Sequence, residues 1–233
     1  MARGFGQYCG VATALELVGE RWALLIVRDL LVGPRRYTDL KHGLPRIPTN
    51  ILSTRLKELQ EAGVVRRVHL AHCGLVYELT EYGRGLDDVV LALGRWGFRA
   101  MGTPEPGDVM TADSLTVALR TAFRPEIAAD LDPTVYDLHV GPVALRASAA
   151  GPTLRVDALP GTTSAAPPAT GAAADLAFAA GPGLRGLIAG EVAAGQAIED
   201  GTVSILAGDP LLLDRFTATF HLAAEPKPLP TFP

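Results

Sequence analysis

The sequence predicts an α+β chain of two domains: a small, mostly helical domain closed by a hairpin, then a domain of about five strands with several helices. Three observations carry that expectation. Apolar residues recur at helical spacing up to residue 62, then alternate, and alternation returns after residue 134. Charge divides along the chain: residues 1–100 hold 14 Lys+Arg against 10 Asp+Glu, and residues 101–233 hold 7 against 15. Between the two halves, residues 103–110 (TPEPGDVM) have the Pro/Gly composition of a linker. The expected boundaries are 1–102 for the first domain, 103–112 for the linker, 113–225 for the second domain and 226–233 for a proline-rich tail.

The first domain reads as follows. Residues 9–18 (CGVATALELV) have helical spacing and end at Gly19. Residues 21–32 (RWALLIVRDLLV) are apolar nearly all round, as a central buried helix would be, and Gly33-Pro34 stops them. Residues 37–42 (YTDLKH) form a short helix with Thr38 as the expected N-cap. After a turn with two prolines, residues 49–62 form a helix with Leu52, Leu56 and Leu59 as its apolar stripe. The alternating segments 64–70 and 75–79 form a hairpin around the turn 71–74. Thr80 then caps a long helix from 81 to about 101.

Helices, a basic hairpin and a closing helix in this order make a winged helix-turn-helix, with the 49–62 helix placed to enter a major groove. Its outer face carries Thr49, Asn50, Ser53, Thr54 and Lys57, short hydrogen-bonding groups and one cation with no acid among the five. Arg66, Arg67, His69 and His72 put cations or potential cations on the wing, where phosphate contacts position a protein without specifying sequence. Thr38 is a further candidate contact. Arg55 lies on the flank of the apolar stripe and either reaches a phosphate or pairs internally with Glu58 or Asp39. Trp22 and Trp96 are expected in the core or a dimer interface.

Four motifs then carry a family resemblance: Gly-Glu-Arg-Trp at 19–22, Gly-Pro-Arg-Arg-Tyr-Thr-Asp-Leu at 33–40, Leu-Ser-Thr-Arg-Leu-Lys-Glu-Leu at 52–59 and Tyr-Glu-Leu-Thr-Glu-Tyr-Gly at 77–83. Over residues 9–98 the chain resembles the HxlR branch of the MarR-like winged-helix transcription regulators. The resemblance implies double-stranded DNA as partner, a near-palindromic operator, and a homodimer formed through the first and last helices of this domain. Some members sense oxidants or electrophiles through a cysteine matching Cys9. The alternative for Cys9 is a small apolar residue at a helix start. The family's common Ser-Pro-Lys at the start of the recognition helix is Pro48-Thr49-Asn50 here, and Asn50 suits an adenine edge.

In the second domain, 113–123 and 209–220 read as helices, the latter with Asp209 as N-cap. Strands are expected at 135–140, 143–149, 153–159, 175–180 and 203–206, short helices at 183–189 and 192–198, and a low-complexity loop at 160–174. From Asp175 to Leu222, on the pieces DLAFAA, GLRGLIAGE and AIEDGTVSILAGDPLLLDRF, the chain is similar to the sterol carrier protein type two fold. That resemblance implies an apolar tunnel for a small hydrophobic ligand, with Phe123, Leu138, Phe178, Leu184, Leu187 and Ile188 as candidate lining. The alternative is a packed domain that adds dimer contact.

No G-x-S-x-G, H-E-x-x-H, P-loop or G-x-G-x-x-G occurs, so no enzyme activity, metal or cofactor is expected. No apolar run approaches the ~20 residues of a membrane helix. The first ten residues lack a signal-peptide core, so a cytoplasmic protein is expected. The reading is a dimeric DNA-binding regulator controlled by a hydrophobic ligand. Its rivals are a hydrophobic-ligand carrier with a non-functional helix-turn-helix and a regulator that senses redox state through Cys9.

Overall fold

The structure, a computed structural model, describes residues 4–71, 74–162, 173–181 and 183–223. His72 and Cys73 of the wing turn, most of the 160–174 segment and the 226–233 tail fall outside these residues. The chain packs as two compact units, Met1–Val90 and Leu91–Pro233. The first is a helix-turn-helix unit and the second is built on a sheet, so the protein is mixed α+β.

The first unit holds α1 (Gly10–Val18), α2 (Ala23–Val32), α3 (Tyr37–Gly43), α4 (Thr49–Glu61), β1 (Val65–Leu70), β2 (Gly74–Leu79), α5 (Glu81–Arg84) and the start of α6 (Asp87–Phe98). Ile26, Val27 and Leu30 of α2, Leu40 of α3, and Leu52, Leu56 and Leu59 of α4 are buried. The i, i+4, i+7 stripe of α4 thus faces inward as its spacing requires, and burying each such side chain stabilises by about 1.5–3 kcal/mol. α4 packs on α1 and β1, and α2 packs on α3 and β2. Gly63, at φ +69, turns the chain out of α4 through a left-handed conformation and into the antiparallel β1–β2 wing.

Several local expectations change. Trp22 adopts φ +80 as the residue before α2, so that helix begins at Ala23 rather than Arg21. The N-cap of α3 is Arg36, whose backbone N–H donates to the Asp39 carboxylate at 2.9 Å, and Thr38 lies exposed inside the first turn. The helix expected over 81–101 is two helices. Thr80 Oγ1 accepts from the Gly83 N–H at 3.0 Å and starts α5, but Gly85 ends it. Gly83 passes so close to the wing that a Cβ there would stand 2.1 Å from the Val64 carbonyl oxygen. That close approach fixes α5 against the hairpin, and a new helix starts at Asp87. Trp96 is 71% exposed rather than in a core.

The second unit adds α7 (Ala112–Ala122), α8 (Pro125–Ala128), β3 (Thr134–Val140), β4 (Val143–Ala150), β5 (Thr153–Ala158), β6 (Leu176–Ala180), α9 (Leu184–Ile188), α10 (Ala194–Glu199), β7 (Val203–Gly208) and α11 (Leu212–Thr219). The sheet order is β5-β4-β3-β6-β7, antiparallel except for β3 beside β6. α8 was not expected. Asp209 does not cap α11; its carboxylate accepts the Leu211 N–H at 2.9 Å in the turn before it.

Alternation along β3, β4 and β6 sends one side chain in two into the core. There Tyr136, Leu138, Phe178, Phe216 and Phe220 are fully buried. The Phe216 ring lies 5.0 Å from Phe178 and 5.3 Å from Tyr136, both edge-on, and 4.7 Å from Phe220. The opposite face is more open and carries the bidentate Arg146–Asp137 pair, with both bonds at 2.7 Å.

Candidate nucleic-acid interface

Two side chains from α3 hold the start of α4. The Tyr37 hydroxyl donates to the Thr49 carbonyl at 2.9 Å and lies 3.2 Å from Ser53 Oγ. Lys41 Nζ donates to the carbonyls of Pro45 at 3.0 Å and Ile47 at 2.8 Å, closing the turn between the helices. Lys41 therefore spends its charge on the turn, and α3 and α4 are fixed as a pair. Neither residue stands out in the sequence, because their partners are carbonyl groups that only the turn brings near.

On α4, Thr49, Asn50, Ser53, Thr54 and Lys57 are all exposed on one side, as expected. Ser53 Oγ and Thr54 Oγ1 donate back to the carbonyls of Thr49 and Asn50, at 3.1 and 2.9 Å. Lys57 Nζ lies 3.7 Å from Glu61 with its side chain 76% exposed, a loose surface pair. Arg55 is different. It pairs with Glu58 on its own helix and, at 3.0 Å, with Glu20 in the turn after α1. Asp39 instead serves α3.

The wing holds Arg66, Arg67 and His69 exposed. Arg66 lies 2.6 Å from Glu78 on the neighbouring strand, and the Arg67 guanidinium sits over the Tyr77 ring at 5.5 Å. The wing is itself anchored by Arg35, whose backbone exchanges hydrogen bonds of 2.9 and 2.7 Å with Tyr77. Arg35 is buried, which its place in a Gly-Pro turn did not suggest. His72 lies outside the described residues.

Cys9 is the exposed residue that precedes α1. The backbone N–H groups of Ala12 and Val11 at the open first turn hold its thiol below the ordinary value, against a small opposing effect of burial. In the second unit, Leu138, Phe178, Leu184, Leu187 and Ile188 share one buried core and Phe123 packs against it. In the same core burial pushes the pKa of the Tyr136 hydroxyl up, against the opposing effect of the Thr134 and Thr219 hydroxyls beside it. Among the described residues, no group of three or more His, Cys, Asp or Glu could hold a metal ion, and no helix is long and apolar enough to cross a membrane.

Residues 17–104 match the model of the HxlR-like helix-turn-helix family. An uncharacterised HTH-type transcriptional regulator of Mycobacterium tuberculosis is 43% identical over 100 residues, which cover 41% of this chain and 61% of that one. The chain therefore spans less than two thirds of that relative. The HTH-type transcriptional regulator YodB of Bacillus subtilis is 34% identical over 100 residues, covering 42% of this chain and 87% of YodB. Among solved structures, the reduced form of YodB aligns with a TM-score of 0.36 at 33% identity, over 44% of this chain and 100% of that one. The redox regulator HypR in its oxidised form aligns with a TM-score of 0.36 at 30% identity, over 38% and 94%. YodB has also been solved bound to a quinone. With a relative 34% identical over most of its own length, and the family model matched across the helix-turn-helix, the chain belongs to the HxlR-like helix-turn-helix family of transcriptional regulators.

Proposed function

We propose that the protein is a homodimer that reads a near-palindromic DNA site with α4 of each protomer in a major groove and the wing against the backbone. The observation that carries this reading is the outer face of α4: five exposed polar side chains, none acidic, on a helix fixed at its start by Tyr37. Exposed apolar side chains on α1 (Val11, Leu15) and α6 (Val89, Leu93, Trp96) support a dimer through the first and last helices. Control by a small hydrophobic ligand in the second unit draws its support from the apolar core that Leu138, Phe178, Leu184, Leu187 and Ile188 share.

Fluorescence anisotropy on DNA from upstream of the gene tests the reading. Sequence-selective binding that weakens steeply with salt is expected. Salt-insensitive or absent binding would favour a carrier of hydrophobic molecules. Asn50→Ala should lose about 1–3 kcal/mol of discrimination at one base position per half-site. An equal loss on every sequence would show that Asn50 meets only phosphate.

A second reading, redox or electrophile sensing, is favoured by the exposed, acidified thiol of Cys9. YodB has been solved with a quinone bound and the redox regulator HypR in an oxidised form, and both findings concern those proteins. The thiolate is the reacting form, so alkylation of Cys9 should speed up as pH rises and level off at a lower pH than for free cysteine. Cys9→Ser should leave DNA binding indifferent to diamide. A wild-type protein already indifferent to diamide would end this reading.

A further inference from the structure

We infer that Arg55 is a positioning residue, not a DNA contact: with Glu20 it forms a clamp that sets the angle of α4 relative to α1, and so the spacing of half-sites the dimer accepts. This rests on the proposal that α4 reads DNA. The first argument is angular. At about 100° per residue, Arg55 lies roughly 170° around α4 from the centre of the face formed by Thr49, Asn50, Ser53, Thr54 and Lys57. With that face in a groove, Arg55 points away from the DNA. The second argument is its partners. Arg55 is only 16% exposed at its side chain, its Nε is buried, and its two terminal nitrogens are held by Glu58 and by Glu20 at 3.0 Å. Reaching a phosphate would break both ion pairs at once.

The Glu58 pair stays within one helix and cannot orient it. Glu20 can, because it belongs to the turn directly after Gly19, the C-cap of α1. α1 also packs on α4 through its apolar side. An apolar contact allows one helix to roll on the other, and the arm of Arg55 that reaches the 65% exposed Glu20 adds a directional tie across that contact. Half-site spacing in a dimeric helix-turn-helix follows from the separation and angle of the two recognition helices. A tie between α1, the helix proposed at the dimer interface, and α4 therefore bears on which spacings fit.

The test uses the full-length protein and duplexes selected from a random library, with binding read by anisotropy over a range of salt. The variants are Arg55→Gln, Glu20→Gln, their double, and Lys57→Gln as the control that faces DNA. A contact with phosphate contributes about one unit to the slope of log K against log salt. Lys57→Gln should therefore flatten the slope by about 1, and Arg55→Gln should leave it unchanged. Both Arg55→Gln and Glu20→Gln should weaken binding by about 3- to 10-fold, and the double should lose no more than either single. The sign for Glu20 is diagnostic: charge alone would make removal of an acid tighten binding to a polyanion. Both single variants should also bind half-sites moved one base pair apart with less penalty than wild type. A flattened slope for Arg55→Gln, additive losses, or tighter binding by Glu20→Gln would each overturn the clamp. Selective binding by wild type with any of those results condemns the clamp alone, and no selective binding by wild type condemns the DNA reading with it.

Discussion

Phe216→Ala is expected to cost the second unit about 3–5 kcal/mol, the range for emptying a buried aromatic site. Phe216 is fully buried at the meeting point of three rings: Phe178 and Tyr136 edge-on from the sheet, and Phe220 stacked from the end of its own helix. Those partners sit on β3, β6 and the residue after α11 and cannot close together over the void, because each is fixed by backbone pairing or by the helix end. Domains are stable by only about 5–15 kcal/mol, so the loss should lower the unfolding midpoint in urea by a large fraction. Phe216→Leu should retain much of the difference. A midpoint for Phe216→Ala within experimental error of wild type would mean that the core is not packed as described.

The second large effect is expected in the helix-turn-helix unit. Gly83→Ala adds one methyl group, yet that carbon would stand 2.1 Å from the Val64 carbonyl oxygen and 3.2 Å from the Leu79 side chain. The first clash is with backbone, so no rotamer change relieves it. Val64 O also accepts the Thr80 backbone N–H at 3.0 Å, and Thr80 caps α5, so moving the carbonyl strains the cap as well. Overpacking typically costs about 1–3 kcal/mol, and this position should fall at the upper end. DNA binding should weaken at 37 °C before it does at 10 °C, because the variant loses folded protein rather than a contact. Gly85→Ala, whose nearest approach is 3.2 Å to the Tyr82 carbonyl, should be much milder. A circular-dichroism melt that ranks the two variants in the opposite order would refute the argument.

These cases show what local pattern can and cannot carry. α4 is readable because Leu52, Leu56 and Leu59 repeat at helical spacing and all three point inward. The sheet is readable because β3 and β4 alternate strictly and glycine at 141 and 151 supplies the turns. The break between α5 and α6 is not, since Gly83 matters through a carbonyl nineteen positions away in sequence. α8 is hidden in the same way, four residues set by packing rather than by period. At the candidate interface, the exposed row on α4 follows from the stripe opposite it. The partner of Arg55 does not, because Glu20 lies thirty-five positions upstream and only the packing of α1 on α4 brings it near.

The back-bonding of Ser53 and Thr54 bears on the chemistry of recognition. Each hydroxyl has one proton; that of Thr54 is committed to the Asn50 carbonyl, and that of Ser53 to the Thr49 carbonyl or the Tyr37 hydroxyl. With α4 in a groove as proposed, these two side chains can then offer only lone pairs. In the major groove, lone pairs are complementary to the exocyclic amino groups of cytosine and adenine and are repelled by the O6 and N7 of guanine and the O4 of thymine. The centre of α4 is in this sense an acceptor surface, with Asn50 and Lys57 as the donors that flank it. A helix of this polarity favours amino-bearing bases beneath its middle turn and acceptor-bearing ones toward its ends.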